Sequence, residues 1–251
     1  MLGRRSTRIV IGMVLTVILA GALYWLTQSP AVGVVVNYDP PFNPNIFVSK
    51  VTNKYFTLEP GRKFTYQRRT LGGIERTEVI VLKETKTVMG VTTVVVWDRV
   101  WLNGKLKEDT RDWYAQDEEG NVWYFGEAVG NYVDGRLASY KGSWEAGVRG
   151  AKPGIVMPAK PRVGLTYRQE DARGQAEDMG TIVAVGKQVR VPHGTFDDCV
   201  QTRDWSRLER TANEFKYYCA AVSFVVLEES AWLGARLLGE GKTELVDVSH
   251  E

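Results

Sequence analysis

The chain has 251 residues, 44% hydrophobic and 25% charged, a balance that excludes a disordered protein and allows one large domain or two of ordinary size. Its net charge is +2, and Arg4, Arg5 and Arg8 more than account for it, leaving the remainder at −1. A body so close to neutral has no electrostatic footprint for nucleic acid, and two cysteines neither staple a small scaffold nor build a zinc cluster.

Residues 1–8 read as a basic cytoplasmic tail and 9–27 as a transmembrane anchor or signal segment. Ile9 to Leu26 is an uncharged run of 18 residues with Tyr24-Trp25 near its end. As a helix it would be roughly 27 Å long, close to the thickness of a bilayer core. Arginines stay on the cytoplasmic side and aromatic rings favour the far interface, so the expectation is a single-pass cell-membrane protein with an extracytoplasmic body. The alternative is secretion after signal cleavage at Ala20-Gly21-Ala22 or Ser29-Pro30-Ala31. No cysteine lies in this segment, which excludes a lipid-modified N-terminus there. Residues 28–55 carry Pro30, Pro40, Pro41 and Pro44 with Asn37, Asn43 and Asn45, and read as a stiff, extended spacer.

From Phe56 onward there is almost no helical period. Runs rich in Val, Thr, Ile, Tyr and Trp predict strands over Lys63–Arg69, Glu75–Glu84, Val91–Leu102, Lys105–Gln116 and Val122–Glu127. Between them lie Gly72-Gly73, Met89-Gly90, Asn103-Gly104 and Glu119-Gly120-Asn121, with a further hairpin at Asp134-Gly135. Such dipeptides supply the positive φ that tight hairpins need, so each strand should pair with the next.

The pattern then returns. Pro60 to Gln67 is echoed by Arg162 to Gln169, Val79 to Arg99 by Ile182 to Arg203, and Asp112 to Glu127 by Lys216 to Glu228. The offset stays near 104: it is 103 from Gly61 to Gly164, 104 from Arg99 to Arg203 and 106 from Gly135 to Gly241. The reading is mainly β: two tandem antiparallel β-meander repeats, forming a sandwich or a curved, half-barrel-like sheet, after an N-terminal transmembrane helix. Unit 1 is 56–150, and 151–251 is the crossover with unit 2. Segments such as Val79-Ile80-Val81-Leu82 are apolar on both faces and need cover on both sides, so the units should share one core or pack closely.

Several stretches resemble a family of uncharacterised bacterial secreted or membrane-anchored β-rich envelope proteins: Glu75-Arg76-Thr77-Glu78-Val79, Asp109-Thr110-Arg111-Asp112-Trp113-Tyr114-Ala115-Gln116-Asp117, Gly120-Asn121-Val122-Trp123-Tyr124-Phe125-Gly126-Glu127 and Gly142-Ser143-Trp144-Glu145-Ala146-Gly147. Pro153-Gly154-Ile155-Val156-Met157-Pro158, Tyr167-Arg168-Gln169-Glu170 and Gly194-Thr195-Phe196-Asp197-Asp198 extend the likeness over roughly Phe56 to Glu228. The resemblance implies an envelope location and a β fold, and brings no assigned reaction. One departure is Tyr217-Tyr218-Cys219-Ala220-Ala221-Val222-Ser223, where such proteins read Tyr-Tyr-Ala-Pro-Gly-Val-Gly.

Chemistry is sparse. The two histidines are His193 and His250; His193 is followed by Asp197 and Asp198, whose side chains alternate across a strand, so no metal site is expected. No nucleophile motif, phosphate loop or cofactor fingerprint is present, so no catalytic residue and no cofactor is assigned. Acidic pairs at Glu108-Asp109, Asp117-Glu118, Glu170-Asp171, Glu177-Asp178 and Asp197-Asp198 leave an envelope hydrolase using a carboxylate pair as an alternative. Aromatics are denser in unit 1, and Trp101, Trp113, Tyr114, Trp123 and Trp144 are the candidate ligand-binding residues, against the alternative that they fill a core. Cys199 and Cys219 are equidistant from residue 209, so a symmetric hairpin centred there would set them opposite each other for a disulfide. The expected role is non-catalytic binding or envelope assembly. The lipid bilayer would be one partner, and an apolar or glycan ligand or an envelope protein another. A structural subunit of a membrane complex is the remaining alternative.

Overall fold

The computed structural model describes residues 36–209, 213–231 and 241–251; the expected tail and membrane segment, 1–8 and 9–27, lie outside the described residues. No helix among the described residues is long and apolar enough to cross a membrane. The described chain is almost all strand. In order these are β1 (Val36–Tyr38), β2 (Phe47–Val48), β3 (Val51–Asn53), β4 (Phe56–Leu58), β5 (Arg62–Thr70), β6 (Gly73–Val88), β7 (Val91–Leu102), β8 (Lys105–Asp117) and β9 (Val122–Val133). There follow β10 (Arg136–Ser139), β11 (Trp144–Glu145), β12 (Lys152–Met157), β13 (Leu165–Arg168), β14 (Glu170–Asp171), β15 (Asp178–Val191), β16 (Gly194–Ser206), β17 (Asn213–Cys219), β18 (Phe224–Ser230) and β19 (Lys242–His250).

Two meanders make up the wall, β5 to β9 and β15 to β19, each strand antiparallel to the next. They join on one side where β19 pairs with β5 from Thr243↔Arg68 to His250↔Arg62. On the other side β9 pairs with β12, β12 meets β14 at Lys152↔Asp171 and Pro153↔Glu170, and β13 pairs with β15. The result is one nearly closed, barrel-like antiparallel sheet. Among the described residues, strand pairing at that second seam is limited to the two-residue β12–β14 contact. Neither a flat sheet nor a sandwich arises, because register shifts in β6, β15 and β9 bend the long strands around a common interior.

Turn chemistry explains the hairpins. Met89-Gly90, Asn103-Gly104 and Asp134-Gly135 all take positive φ at both positions, the geometry whose twist matches paired strands. The β5–β6 turn closes through Thr70↔Gly73, one residue earlier than the Gly72-Gly73 dipeptide suggests. In the second meander Val191 pairs with Gly194, so Pro192 and His193 are the central turn residues. The Tyr217–Ser223 departure also folds into a turn. Ser223 takes φ +53°, where glycine is easier, while its amide donates to Cys219 O at 2.7 Å and its Oγ to Ala220 O at 3.0 Å.

One continuous apolar core runs from Val51 through Phe125, Ile155 and Ile182 to Leu245, so both halves of the chain share it. Val36–Glu251 forms a single compact unit. Of the stretch expected to be a stand-off spacer, residues 36–55 are built into this unit instead. β1 pairs parallel with β13, Tyr38 Oη donates to Asn121 Oδ1 at 3.0 Å, and Phe47 packs edge-on against Trp123 and Phe125. Prolines set φ there, but three aromatic rings in 36–47 favour cover over solvent.

The β3–β4 hairpin plugs one end of the barrel. Val51, Phe56 and Leu58 are buried, Thr57 N donates to Ser223 O at 2.8 Å, and Asn53 Nδ2 donates to Gly120 O at 2.8 Å. Near that end Asp117, 2% exposed, accepts from Asn121 N, Asn121 Nδ2 and Trp123 Nε1, each at 2.8 Å. Asp117→Ala strands three buried donors at once and is expected to lower stability by about 2 kcal/mol in urea denaturation. An unchanged midpoint would show that the turn re-forms its bonds with water.

Candidate functional site

The barrel encloses a cavity of about 390 Å³, lined by side chains from nearly every wall strand. Alternation along the strands decides which residues face inward. β6 presents Val79, Thr77 and Glu75, β7 presents Val96, Asp98 and Val100, β8 presents Tyr114 and Asp112, and β17 presents Tyr218 and Lys216. β5 adds Tyr66 and Arg68, and β18 adds Val225 and Glu228. Because neighbours are antiparallel, these progressions run the same way in space, mostly aromatic and aliphatic toward the plugged end and charged toward the other, with Val100 of β7 the exception. Phe56 of the plug sits 5.2 Å from Tyr114 and 4.9 Å from Phe224, ring centre to ring centre, and Phe64 stacks on Phe224 at 4.5 Å.

The charged end is dominated by acid. Lys216, on one wall, is held by Glu214 at 3.1 Å and by Glu228 and Asp204 at 3.7 Å each. Burial opposes its charge, yet these three carboxylates outweigh it and raise its pKa well above the ordinary value. On the facing wall Asp98, Asp112, Glu127 and Glu170 have no cation paired with them among the described residues. Tyr124 Oη donates to Asp112 Oδ1 at 2.6 Å and Trp144 Nε1 to Glu170 Oε1 at 3.3 Å, and both donors are neutral.

Desolvation sets the protonation of this group. Burial first, then Asp112 and Glu170, push Glu127 up to about 9; burial and Asp178 push Glu170 up to about 8. Asp112 rises to about 7 through burial, with the Tyr124 hydrogen bond opposing, and Glu228 rises to about 7 through burial, with Lys216 opposing. Burial also raises Asp98 and Asp204. Asp98 Oδ1 and Asp204 Oδ1 are buried without a hydrogen-bond partner. No group of three His, Cys, Asp or Glu among the described residues is arranged to hold a metal ion.

The five aromatic residues singled out in the sequence are dispersed. Tyr114 lines the cavity, stacked at 4.8 Å on Tyr124. Trp144 is buried behind it, perpendicular to the Tyr124 ring at 5.5 Å. Trp113 lies on the opposite face of β8, its ring under Lys86 Nζ at 3.3 Å. Trp123 lines a second pocket of about 370 Å³ with Tyr38, Phe42 and Ile155. Trp101 is half-buried on the face of β7 away from the cavity, 5.0 Å from the Arg99 guanidinium. Cys199 and Cys219 pair directly across β16 and β17, Cα to Cα 4.0 Å, and are joined by a disulfide. His193 lies 6.2 Å from Phe196, ring centre to ring centre, and takes no part in the cavity. The cavity acids were not singled out by sequence, apart from Glu170 and Asp178 as members of adjacent pairs. The signal that finds them is a charge in the inward register of an apolar strand: Val96-x-Asp98-x-Val100, or Lys216 two residues from Tyr218.

Fold and site together define a plugged antiparallel β-barrel with an acid-lined internal cavity. No protein-family model matches the chain, and no curated protein matches it. Two solved structures are similar in fold. One is a candidate exported protein with a YmcC-like fold from Bacteroides fragilis, at 15% identity and TM-score 0.44 over 77% of this chain and 98% of that one. The other is a candidate lipoprotein from Parabacteroides distasonis, at 12% identity and TM-score 0.41 over 78% and 98%.

Proposed function

We propose that the chain is a membrane-anchored, extracytoplasmic binding protein whose barrel holds a small ligand in its interior without transforming it. The observation that carries the binding is the cavity: about 390 Å³ is small-molecule size, and its polar groups converge at one end. Outward export is supported by the arginine-flanked apolar run Ile9 to Leu26, with the body beyond it, and by a disulfide, a bond that persists in oxidising compartments. The two meanders are read as copies of one unit. Gly61 and Gly164 occupy matching places at φ +91° and +88°, and their amides donate to Val81 O and Ile182 O at 2.8 and 2.9 Å.

Native mass spectrometry of the full chain released from nanodiscs tests the binding: a bound small molecule lost on Val100→Trp, which puts an indole into the cavity, supports it. An empty barrel unaffected by any metabolite extract in thermal shift overturns it. Protease added to intact spheroplasts should digest the body; full protection would reject the orientation. A second reading, an acid–base hydrolase, is favoured by one feature, the convergence of Asp112, Glu127 and Glu170 on one cavity with raised pKa values. Turnover of nitrophenyl glycosides or esters abolished by Glu127→Gln would establish it in place of simple binding.

A further inference from the structure

Resting on the binding reading, the cavity's chemistry narrows the ligand class. Its two walls are electrostatically unequal. Lys216 is matched by Asp204, Glu214 and Glu228 on its own side, while Asp98, Asp112, Glu127 and Glu170 face the same space without a salt bridge among the described residues; Arg68 is the other cation lining it, so acids outnumber cations there. Asp204 lines the cavity at only 6% exposure, and its Oδ1, like that of Asp98, has no hydrogen-bond partner. A buried acceptor left this way is unfavourable unless something donates to it. Toward the plugged end the walls turn aromatic: Tyr114 and Tyr124 are stacked, and Phe56 and Phe224 close the space behind them. An organic ammonium seated among these buried carboxyls supplies the counter-charge they lack and pairs with the carboxylates it ionises, and the aromatic faces beside them add attraction, since each ring face carries negative quadrupole density. An anion would meet more acid than base, and an uncharged hydrocarbon would leave the unpartnered oxygens bare.

We infer that the cavity binds a small organic amine with an apolar body, its ammonium seated among Asp98, Asp112, Glu127 and Glu170 and its hydrocarbon part against Tyr114 and Phe224. Three probes of one shape separate the possibilities: phenylethylamine, 2-phenylethanol and phenylacetate, titrated calorimetrically into the full chain in nanodiscs at pH 7.5. The amine should bind at least tenfold tighter than the alcohol, and phenylacetate should give no saturable signal. Asp112→Asn/Glu127→Gln should weaken the amine tenfold or more and leave the alcohol unchanged. Asp98→Asn, which keeps shape and removes one ionisable carboxyl, provides the same comparison if the double variant loses its native near-ultraviolet circular dichroism. Equal binding of amine and alcohol, or preference for phenylacetate, overturns the amine assignment while leaving an occupied cavity. Silence from all three probes, with no ligand on the purified protein, overturns both.

Discussion

Raising the pH from about 5 to about 9 should destabilise the barrel by about 4 kcal/mol. Each raised carboxyl is held protonated more strongly by the fold than by the unfolded chain. For Glu127, ordinary value 4.5 and about 9 when folded, the contribution is full below about pH 4 and is lost as pH climbs to about 9. Glu170 loses its contribution by about 8, and Asp112 and Glu228 by about 7. Lys216, raised further above its ordinary value, is charged throughout this window and contributes no slope there. At about 1.4 kcal/mol per unit, these shifts taken in full would exceed the stability of most domains. Glu127 and Glu170 are half-buried rather than fully covered, so part of each shift is screened and the net loss is smaller. Urea denaturation at pH 5, 7 and 9 should give a falling series, flattened in Glu127→Gln. Stability that stays level or rises with pH would mean that the acids are already ionised or paired.

Removing the disulfide should have a comparable effect. Cys199 and Cys219 are 20 residues apart and both are fully buried, so the bond closes the β16–β17 hairpin in the unfolded chain as well as the folded one. A loop of that length is worth about 3 kcal/mol, or a drop in Tm of about 6–12 °C for a body of this size. Cys199→Ala/Cys219→Ala, chosen to avoid burying two hydroxyls, is the variant to melt, with the wild type in strong reductant beside it. The bond also sits at the turn where Ser223 holds a positive φ, so its loss should loosen Phe224 against Phe56 and Phe64. A Tm unchanged within 2 °C (roughly, by the same scaling) would mean that strand pairing alone fixes this hairpin.

Strand type and strand order were legible because turn chemistry is local: Asn103-Gly104 and Asp134-Gly135 announce hairpins whatever surrounds them. Closure was not. It rests on β19 returning to β5 and on the two-residue meeting of β12 with β14, contacts spanning long stretches of chain with no local signature. The aromatic emphasis captured Tyr114 and its neighbour Trp144 but spread to Trp113, Trp123 and Trp101, since an indole is equally welcome in a core, under a lysine or on a half-covered face. Beyond Glu170 and Asp178, which lie in adjacent acidic pairs, the cavity acids carry no local signal, because a lone Asp in a strand usually faces solvent. Only the inward parity of Asp98, Asp112 and Lys216, fixed by their apolar neighbours two residues away, marks them as interior.

The proposed site depends on water-poor carboxyls gathered inside one end of the barrel, and carbon-13 NMR of Asp and Glu side-chain carboxyls across pH 3 to 10 measures that directly. Several carboxyl resonances, among them the one removed by Glu127→Gln, should titrate above pH 6 (roughly two units past ordinary carboxylates) and move downward on adding phenylethylamine. If every carboxyl instead titrates between about 3 and 5, the interior is ordinary solvent-filled space and the binding site described here does not exist.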